Sequence, residues 1–451
     1  MMSENLSAEP PTNSIYLGSS RRQHQYLVSQ SAVVMKLGLL MLKSGASAFR
    51  VKTSMARLAR AVGLEEHHSQ VTFTELTTTA YAAGNFRTEI GEQRAMGISA
   101  YRIDLLSDFV SNLPEKISPF EAGQEIDRIA RLPHLYPQWL LSLAAAFACA
   151  GFAFLNNGGV VECSIVFFCS GLGQLLRSFL LSKEVNHLAI WFLCGVFSAG
   201  TYICAVSALT ALGLTSSDHL VGFISAILFL VPGFPLVTAM LDLARFDFSA
   251  AIGRLTYVGL LLASASFAVW ILAFTFELPL QKAVPLEFSP MTLYSLRVAA
   301  SFIAAYGFAM LFSAMPTSCL WAGIIAAVVN PLRILATDVG LAPQLAVFTG
   351  ALLAATLAEI IAPLYHRKYS RVSLSVPAVV TMVPGVTFYR SMAHLSDGDI
   401  AEAAVGMVEV WLLFFAIGMG LVFARFLMDK NWFYNRDLQK VRHFNIDYHL
   451  R

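Results

Sequence analysis

The sequence has few charged residues. Only 13% of its 451 residues are Asp, Glu, Lys or Arg, whereas 56% are hydrophobic, and soluble domains carry about 25% charged residues. A chain of this composition is not soluble throughout, so most of it is predicted to lie in lipid. The net charge of +2 and the lack of a long run of like charges exclude an extended surface for nucleic acid.

Motifs for cofactors and catalysis are also absent. The six cysteines show no metal-type spacing, so neither disulfides nor zinc nor any other cofactor is predicted. The adjacent pair His67-His68 is not spaced for a metal, and "SGASAFR" lacks the phosphate-binding pattern of a P-loop. The stretch "TELTTTAY" has hydroxyls without a partnered base. We therefore predict neither an enzyme nor an ATPase.

The charges that are present are concentrated near the N-terminus. Residues 1–136 hold 14 of the 31 Lys/Arg and 13 of the 29 Asp/Glu residues. The opening stretch is polar and lacks the basic start and apolar core of a secretory signal, so residues 1–28 are predicted to be a disordered tail. Helical periodicity, a run of β-branched residues and an N-cap signal at Ser118 predict a small cytoplasmic α+β domain over 29–134.

Apolar runs of about 20 residues, the length that crosses a ~30 Å hydrocarbon core, follow one another from Gln138 onward. Ten spans are predicted, at 138–157, 160–181, 187–211, 219–241, 253–276, 291–314, 317–336, 343–364, 374–394 and 402–428. They divide into two five-helix modules, 138–277 and 290–428, and 429–451 is a cytoplasmic tail. With the N-terminus inside, the inner loops carry 13 Lys/Arg against four outside, so both termini are predicted to be cytoplasmic.

Two of these spans contain a Pro-Gly motif at matching positions. "LVPGFPLVTAMLD", residues 230–242, and "MVPGVTFYRSMAHL", residues 382–395, align at an offset of 152 residues. One copy holds five spans, an odd number, so the second copy must cross the membrane in the opposite direction. The predicted fold class is an α-helical polytopic membrane protein with about ten transmembrane helices as two inverted five-helix repeats, preceded by the α+β domain. This organisation is typical of secondary transporters.

The Pro-Gly motifs are candidates for the substrate site. Proline removes an amide donor and glycine lets the chain open, so a broken helix exposes backbone dipoles that can bind a charged substrate. The predicted substrate-binding residues are Pro232, Gly233, Asp242, Pro384, Gly385 and Tyr389. The alternative is that each motif only kinks a packing helix.

Two acids inside the predicted spans are candidates for proton coupling. Glu359 and Asp242, one in each half, are predicted to share substrate and proton binding, because burial favours a neutral acid that can carry a proton. The alternative is that each acid pairs with a neighbouring arginine at the cytoplasmic interface. Arg333 either completes a polar break in the seventh span or reaches outward to water, and Arg177 is assigned to a span end.

Longer stretches resemble one family. "LMLKSGASAFRVKTSMARLARAVGL" and "VTFTELTTTAY" resemble the soluble N-terminal region of the bacterial threonine/serine exporter family. "LVPGFPLVTAMLDLARFDFSAAIGRL" is similar to its first membrane module and "VSLSVPAVVTMVPGVTFYRSM" to its second, so the resemblance covers about residues 30–428. The matching positions are Gly45, Arg50, Arg57, Gly63, Pro232, Gly233, Asp242, Pro384 and Gly385. His394 stands in the second copy where the first has Asp242.

The resemblance implies an inner-membrane exporter of small hydroxylated amino acids, threonine and serine, coupled to the proton motive force. Its partners would be the amino acid, protons and the lipid bilayer, and a homo-oligomer is left open. Split relatives are associated with dicarboxylate export, so a succinate exporter is an alternative. A membrane-tethered enzyme or sensor acting through the N-terminal domain is another, although an anchor needs no duplicated broken helices. We expect the soluble domain to act as a gate or cap.

Overall fold

The structure is a computed structural model, and it is mostly helical. It describes residues 13–94, 96–215, 217–276, 286, 288–364, 371–396 and 398–434. Three strands and four helices precede the first helix of the membrane region. The predicted fold class is confirmed at this level, as a polytopic helical membrane protein with a small α+β region at its N-terminus.

Residues 13–130, named the N-terminal domain below, pack four helices against a three-stranded antiparallel sheet of order β1-β2-β3. Its elements are α1 Asn13–Lys43, α2 Ala48–Ala61, β1 Glu66–Val71, β2 Glu75–Ala82, β3 Asn85–Glu92, α3 Ala100–Ser111 and α4 Pro119–Ala130. Met55 of α2 and Leu76 of β2 are fully buried beside Gly38 of α1. Ser118 caps α4 through a reciprocal capping box with Glu121, as its sequence predicts.

The predicted disordered tail, 1–28, is too long, because α1 begins at Asn13. The polar composition of this stretch favours disorder, but Leu27 and Gln30 are buried within the domain. The Gln30 side chain also donates a 2.6 Å hydrogen bond to the carbonyl of Val62. Tertiary packing therefore stabilises this part of the helix where local preference does not. Residues 1–12 lie outside the described residues.

Ten candidate membrane spans follow in the described part of the chain, the predicted number, when each bent helix pair is counted as one span. Eight are single helices: α5 Gln138–Leu155, α6 Val160–Ser182, α7 His187–Ala211, α9 Phe248–Thr275, α10 Pro290–Leu311, α11 Pro316–Asp338, α12 Pro343–Ile361 and α15 Ile400–Met428. Two short elements are the 3-10 helix Ala362–Leu364 and α16 Lys430–Phe433. Helix α1 is also long and apolar enough to cross a membrane over Arg21–Lys43, but it packs against α2, α4 and the sheet.

The other two positions are bent helix pairs, and each bend lies at a Pro-Gly motif. The 3-10 helix Ser217–Leu230 and α8 Gly233–Leu243 meet at 62°. Helices α13 Arg371–Val380 and α14 Gly385–Ser396 meet at 48°. Proline lacks the amide that would continue the helical hydrogen bonds, which explains why both breaks fall there. The prediction that both motifs break their helices is confirmed.

The two breaks contact each other reciprocally. A Cβ atom on Gly233 would lie 2.8 Å from Cγ2 of Val380, and one on Gly385 would lie 3.0 Å from Cδ2 of Leu228. The 152-residue offset pairs Gly233 with Gly385 and Leu228 with Val380. Reciprocal contacts between equivalent positions are what a two-fold relation produces.

The helix boundaries repeat as well. Helices α6 and α7 begin 156 residues before α11 and α12, and α8 and α9 begin 152 residues before α14 and α15. The first helices of the two halves, α5 and α10, pack antiparallel. A Cβ on Gly151 would lie 2.9 Å from the Ala300 carbonyl oxygen, and one on Gly307 would lie 2.5 Å from that of Ala144. Both features are expected of an inverted five-helix repeat.

Candidate functional site

Asp242 joins the first broken helix to the N-terminal domain. It lies on α8 with no exposed surface, and its Oδ1 accepts a 2.8 Å hydrogen bond from the backbone N–H of Ala48. Because Ala48 begins α2, the carboxylate stabilises a helix N-terminus. Its Oδ2 lies 3.5 Å from Nε of Arg254, which is also buried. In this conformation the Asp242 carboxylate contacts the N-terminal domain and Arg254. Its role in substrate binding stays a prediction.

Arg254 makes the same connection from α9. Its Nη1 donates to Thr238 at 2.9 Å and to the carbonyl of Gly45 at 3.4 Å, and its Nη2 donates to the carbonyl of Ala46. Gly45 has φ +89, a left-handed conformation that ends α1 and turns these carbonyls toward the arginine. A Cβ there would lie 3.2 Å from the Gly97 carbonyl oxygen. The turn between α1 and α2 therefore requires glycine at this position.

Glu359, the second predicted proton-coupling acid, lies in a separate cluster of charges. It is 7% exposed, and its carboxylate lies 2.8 Å from Nε of Arg371 and 3.2 Å from Nε of Arg425. Arg50 of the N-terminal domain adjoins this cluster, and burial, together with Arg425, lowers its pKa to about 10. The structure thus contains the arginine pairing that is the alternative interpretation of Glu359. Its role in proton coupling stays a prediction.

A cavity of about 240 Å³ lies beside the first helix break. Residues of α6, α7, α8, α9 and α10 form most of its wall, with Pro232 at the break itself. The N-terminal domain forms one side through Leu42, Gly45, Phe73, Met96, Gly97 and Ile98. The polar lining residues are Gln174, Arg177, Ser178, His187, Thr238, Arg254 and Tyr257. The cavity is therefore bounded by both regions of the chain and contains two arginines.

Arg177 is the cavity arginine without a carboxylate partner among the described residues. Its Nη1 lies 3.4 Å from Oε1 of Gln174 and 3.5 Å from the carbonyl oxygen of Phe229. Its Cζ lies 4.6 Å from the centre of the Trp191 ring, and its Nε is buried without a hydrogen-bond partner in the described part of the chain. A guanidinium in this state can bind a carboxylate in bidentate geometry.

The broken helix explains why Arg177 and Trp191 lie here. The 3-10 helix ends at Leu230, so its last carbonyls lack partners from a continuing helix. Trp191 Nε1 donates a 2.6 Å hydrogen bond to the Leu230 carbonyl, and Arg177 contacts the carbonyl of Phe229. His187 Nδ1 and the Tyr257 hydroxyl pair at 2.6 Å on another part of the cavity wall.

The structure brings only part of the predicted substrate site to this cavity. Pro232 lines it, whereas Gly233, Asp242, Pro384, Gly385 and Tyr389 are not among its lining residues. Tyr389 is fully buried, and its hydroxyl has no hydrogen-bond partner among the described residues. The substrate-binding role of these residues stays a prediction.

Sequence reasoning missed Arg177, because its position near the end of a predicted span suggested contact with water. The signal that identifies it is a repeated pattern. Gln174 precedes Arg177 by three residues, as Asn330 precedes Arg333 in the other half.

Comparisons with known proteins identify the family of this chain and relatives with two different names. A family model described as "Putative threonine/serine exporter" matches residues 32–276, and a second described as "Threonine/Serine exporter, ThrE" matches residues 297–427. The chain is 24% identical over 410 residues to the "Probable threonine/serine exporter" of Mycobacterium tuberculosis, covering 88% of this chain and 75% of that protein. It is 27% identical over 225 residues to the "Probable succinate transporter subunit YjjP" of Escherichia coli, covering 50% of this chain and 86% of that protein. No solved structure matches.

Proposed function

The chain belongs to the threonine/serine exporter family, and from this premise we propose that it exports threonine and serine across the bacterial inner membrane. The family supports a multi-pass transporter rather than an enzyme. The proposal adds the substrate, the proton motive force as its driving energy, and an orientation with both termini in the cytoplasm. The loop charges, 13 against four, support that orientation.

Arg177 is the observation that carries the proposal. An amino acid has a carboxylate, and Arg177 presents a guanidinium with a free Nε to a cavity at the broken helix. The cavity, about 240 Å³, is smaller than the ~300–1,000 Å³ typical of sites for drug-sized ligands. It therefore suits a small solute, and the hydroxyls of Ser178, Thr238 and Tyr257 would bond its ammonium and hydroxyl groups.

Succinate is the second candidate, because one relative is named a succinate transporter subunit and a second arginine lines the cavity. Two carboxylates would need two available cations. Arg254, however, is paired with Asp242 and bonded to Thr238 and to two backbone carbonyls. With Arg177 alone available among the cavity arginines, a single carboxylate fits better. No observation on the described residues favours a membrane-tethered enzyme or sensor.

The N-terminal domain is proposed to act as the gate of this cavity. Six of its residues form one side of the cavity, and Asp242 and Arg254 attach it there. Substrate entering from that side would need the domain to shift. The inverted repeat is part of the same proposal, supported by the reciprocal contacts at Gly233 and Gly385 and by the antiparallel packing of α5 and α10.

The test is threonine efflux from cells loaded with a threonine-containing dipeptide, with wild-type protein and two variants at equal membrane levels. Arg177→Gln removes a charge-assisted bond worth about 1.5–3 kcal/mol, so efflux at sub-saturating threonine should fall at least about tenfold. Lys183→Gln, at the exposed end of the same helix, should leave efflux unchanged. Efflux by Arg177→Gln at the wild-type rate would exclude this site, and export of succinate without threonine would exclude this substrate.

A further inference from the structure

The two halves of the membrane region carry the same polar pair at the same place. Helices α6 and α11 are each 23 residues long and each is the second helix of its half. Arg177 is residue 18 of α6 and Arg333 is residue 18 of α11, while Gln174 and Asn330 are residue 15 of the same helices. An amide side chain followed three residues later by an arginine, at the same positions of equivalent helices, indicates that the two pairs have the same role.

The contacts of the two pairs are also alike. In each, the arginine bonds the amide oxygen three residues earlier on the same helix face, at 3.4 Å for Arg177 and 3.0 Å for Arg333. Asn330 Nδ2 in turn donates a 2.9 Å hydrogen bond to Oγ of Ser301 in α10. This bond orients the amide so that its oxygen faces Arg333. Both amides therefore orient a guanidinium without neutralising its charge.

Each arginine lies near the break of its own half. Arg177 contacts the carbonyl of Phe229, three residues before Pro232. In the second half, a Cβ on Gly350 would lie 3.5 Å from Cβ of Arg333 and 3.2 Å from Cε of Met382, which is two residues before Pro384. Arg333 and the start of the second break thus meet at the same glycine.

The two arginines lie toward opposite ends of the helical bundle. Arg177 shares its cavity with the N-terminal domain. Helix α10 ends at that same domain, because the carbonyls of Phe312 and Ser313 accept hydrogen bonds from Ala100 and Tyr101. Helix α11 starts next to this end, at Pro316, and Arg333 is about 25 Å further along it at 1.5 Å per residue.

Arg333 is not held there by an ion pair among the described residues. Asp338, whose charge acts on Arg333, is instead paired with Arg297 at 2.8 Å and also accepts a hydrogen bond from the Tyr294 hydroxyl at 3.4 Å. The hydrogen-bond partner of Arg333 is the neutral amide of Asn330. A charged side chain kept within a membrane helix with a neutral hydrogen-bond partner is expected to have a functional reason.

We propose that Arg333 forms a second carboxylate-binding site, on the side of the membrane away from the N-terminal domain, which holds the substrate before release. This inference rests on the proposed function, in which Arg177 binds the same carboxylate on the domain side. An inverted repeat would make the two sites equivalent by symmetry, so that each faces one aqueous phase as the halves rock about the paired breaks.

The experiment measures the affinity for substrate separately on each side of the membrane. Full-length protein is placed in vesicles with the N-terminal domain inward, a direction checked by protection of the domain from added protease. Exchange of radiolabelled threonine gives one half-saturating concentration for the inside and one for the outside. Neither value depends on the amount of folded protein, so partial misfolding does not obscure the result.

Arg333→Gln should raise the outside half-saturating concentration at least tenfold and change the inside value less than twofold. Arg177→Gln should do the reverse. Ser295→Ala is the control at the same end as Arg333, because Ser295 is exposed on α10 and bonds only the Met291 carbonyl, and it should change neither value. Arg333→Lys keeps the charge, so it should raise the outside half-saturating concentration less than Arg333→Gln does. It replaces Arg333→Gln in the assay if exchange by that variant is too slow to measure.

Two results would overturn the second site: an unchanged outside value in both Arg333 variants, or an equal rise of the inside and outside values. A different result tests the substrate. If wild-type vesicles exchange no threonine, the proposed substrate is wrong, and the same comparison is made with radiolabelled succinate.

Discussion

One buried carboxylate contributes strongly to the attachment of the N-terminal domain. Asp242 has no exposed surface and lies between the N-terminus of α2 and Arg254. Asp242→Asn keeps the size and one oxygen acceptor for the Ala48 N–H, but it removes the charge. Arg254 would then remain buried with neutral partners only.

The size of the effect follows from these contacts. Breaking a buried ion pair by removing one partner costs about 3–5 kcal/mol, and the lost anion at the helix N-terminus contributes to this figure. If the loss falls on the interface, the equilibrium for domain release shifts by about 10²–10⁴-fold. Arg254→Gln should have a similar effect. The double variant should cost less than the sum of the single variants, because it removes both charges and leaves neither one buried alone.

Hydrogen exchange of the backbone amides at residues 45–50 in the purified full-length protein measures this release. These amides should exchange much faster in Asp242→Asn than in the wild type. Asp247→Asn is the matched control, because it removes an ion pair to Lys52 in which both side chains keep some exposure. Its effect should be about 1 kcal/mol or less. Equal exchange in the wild type and Asp242→Asn, or an equal effect of the two variants, would refute this account of the interface.

Three further outcomes are expected. Glu359→Gln should lower threonine efflux and weaken its dependence on the proton gradient, measured with and without a protonophore; an unchanged dependence would leave Glu359 an ion-pair residue only. Gly233→Val should lower the unfolding temperature, since its Cβ would lie 2.8 Å from Val380 and overpacking costs about 1–3 kcal/mol, whereas Gly259→Ala, with open space around it, should not. Burial lowers the pKa of His67 to about 4, below the unfolded value of about 6.5. Folded stability should therefore fall by roughly 3 kcal/mol as pH drops from about 6.5 to below 4, and His67→Leu should reduce that fall in unfolding scans across pH.

Those parts of the fold that depend on local chemistry could be predicted from the sequence. The length of an apolar run determines whether it can cross a membrane, so the ten positions follow from the residues between Gln138 and Met428. The two breaks also follow, because a proline cannot donate the hydrogen bond that a continuous helix needs. Likewise, Ser118 and Glu121 lie three residues apart, and their capping box forms as expected.

The site was less predictable, because its contacts join residues that are distant in sequence. The Ala48 amide and the Asp242 carboxylate are 194 positions apart, and no periodicity or motif relates them. Sequence reasoning marked Asp242 as a candidate acid inside a span, but it could not supply the domain as its partner. Arg177 was assigned to a span end from its position along α6. That position does not show which face of the helix lines a cavity.

The differences between the halves are as informative as the similarities. The Pro-Gly breaks and the amide–arginine pairs occur in both halves, at Pro232 and Pro384 and at Arg177 and Arg333. Asp242 and Arg254, in contrast, correspond at the 152-residue offset to His394 and Gly406. Both broken helices meet the N-terminal domain, because the Ser373 hydroxyl of α13 donates a 2.9 Å hydrogen bond to Asp104 of α3, but Asp242 and Arg254 bind the domain through side chains that the second half does not repeat. The residues shared by both halves are therefore the better candidates for transport, and Asp242 and Arg254 the better candidates for control by the domain.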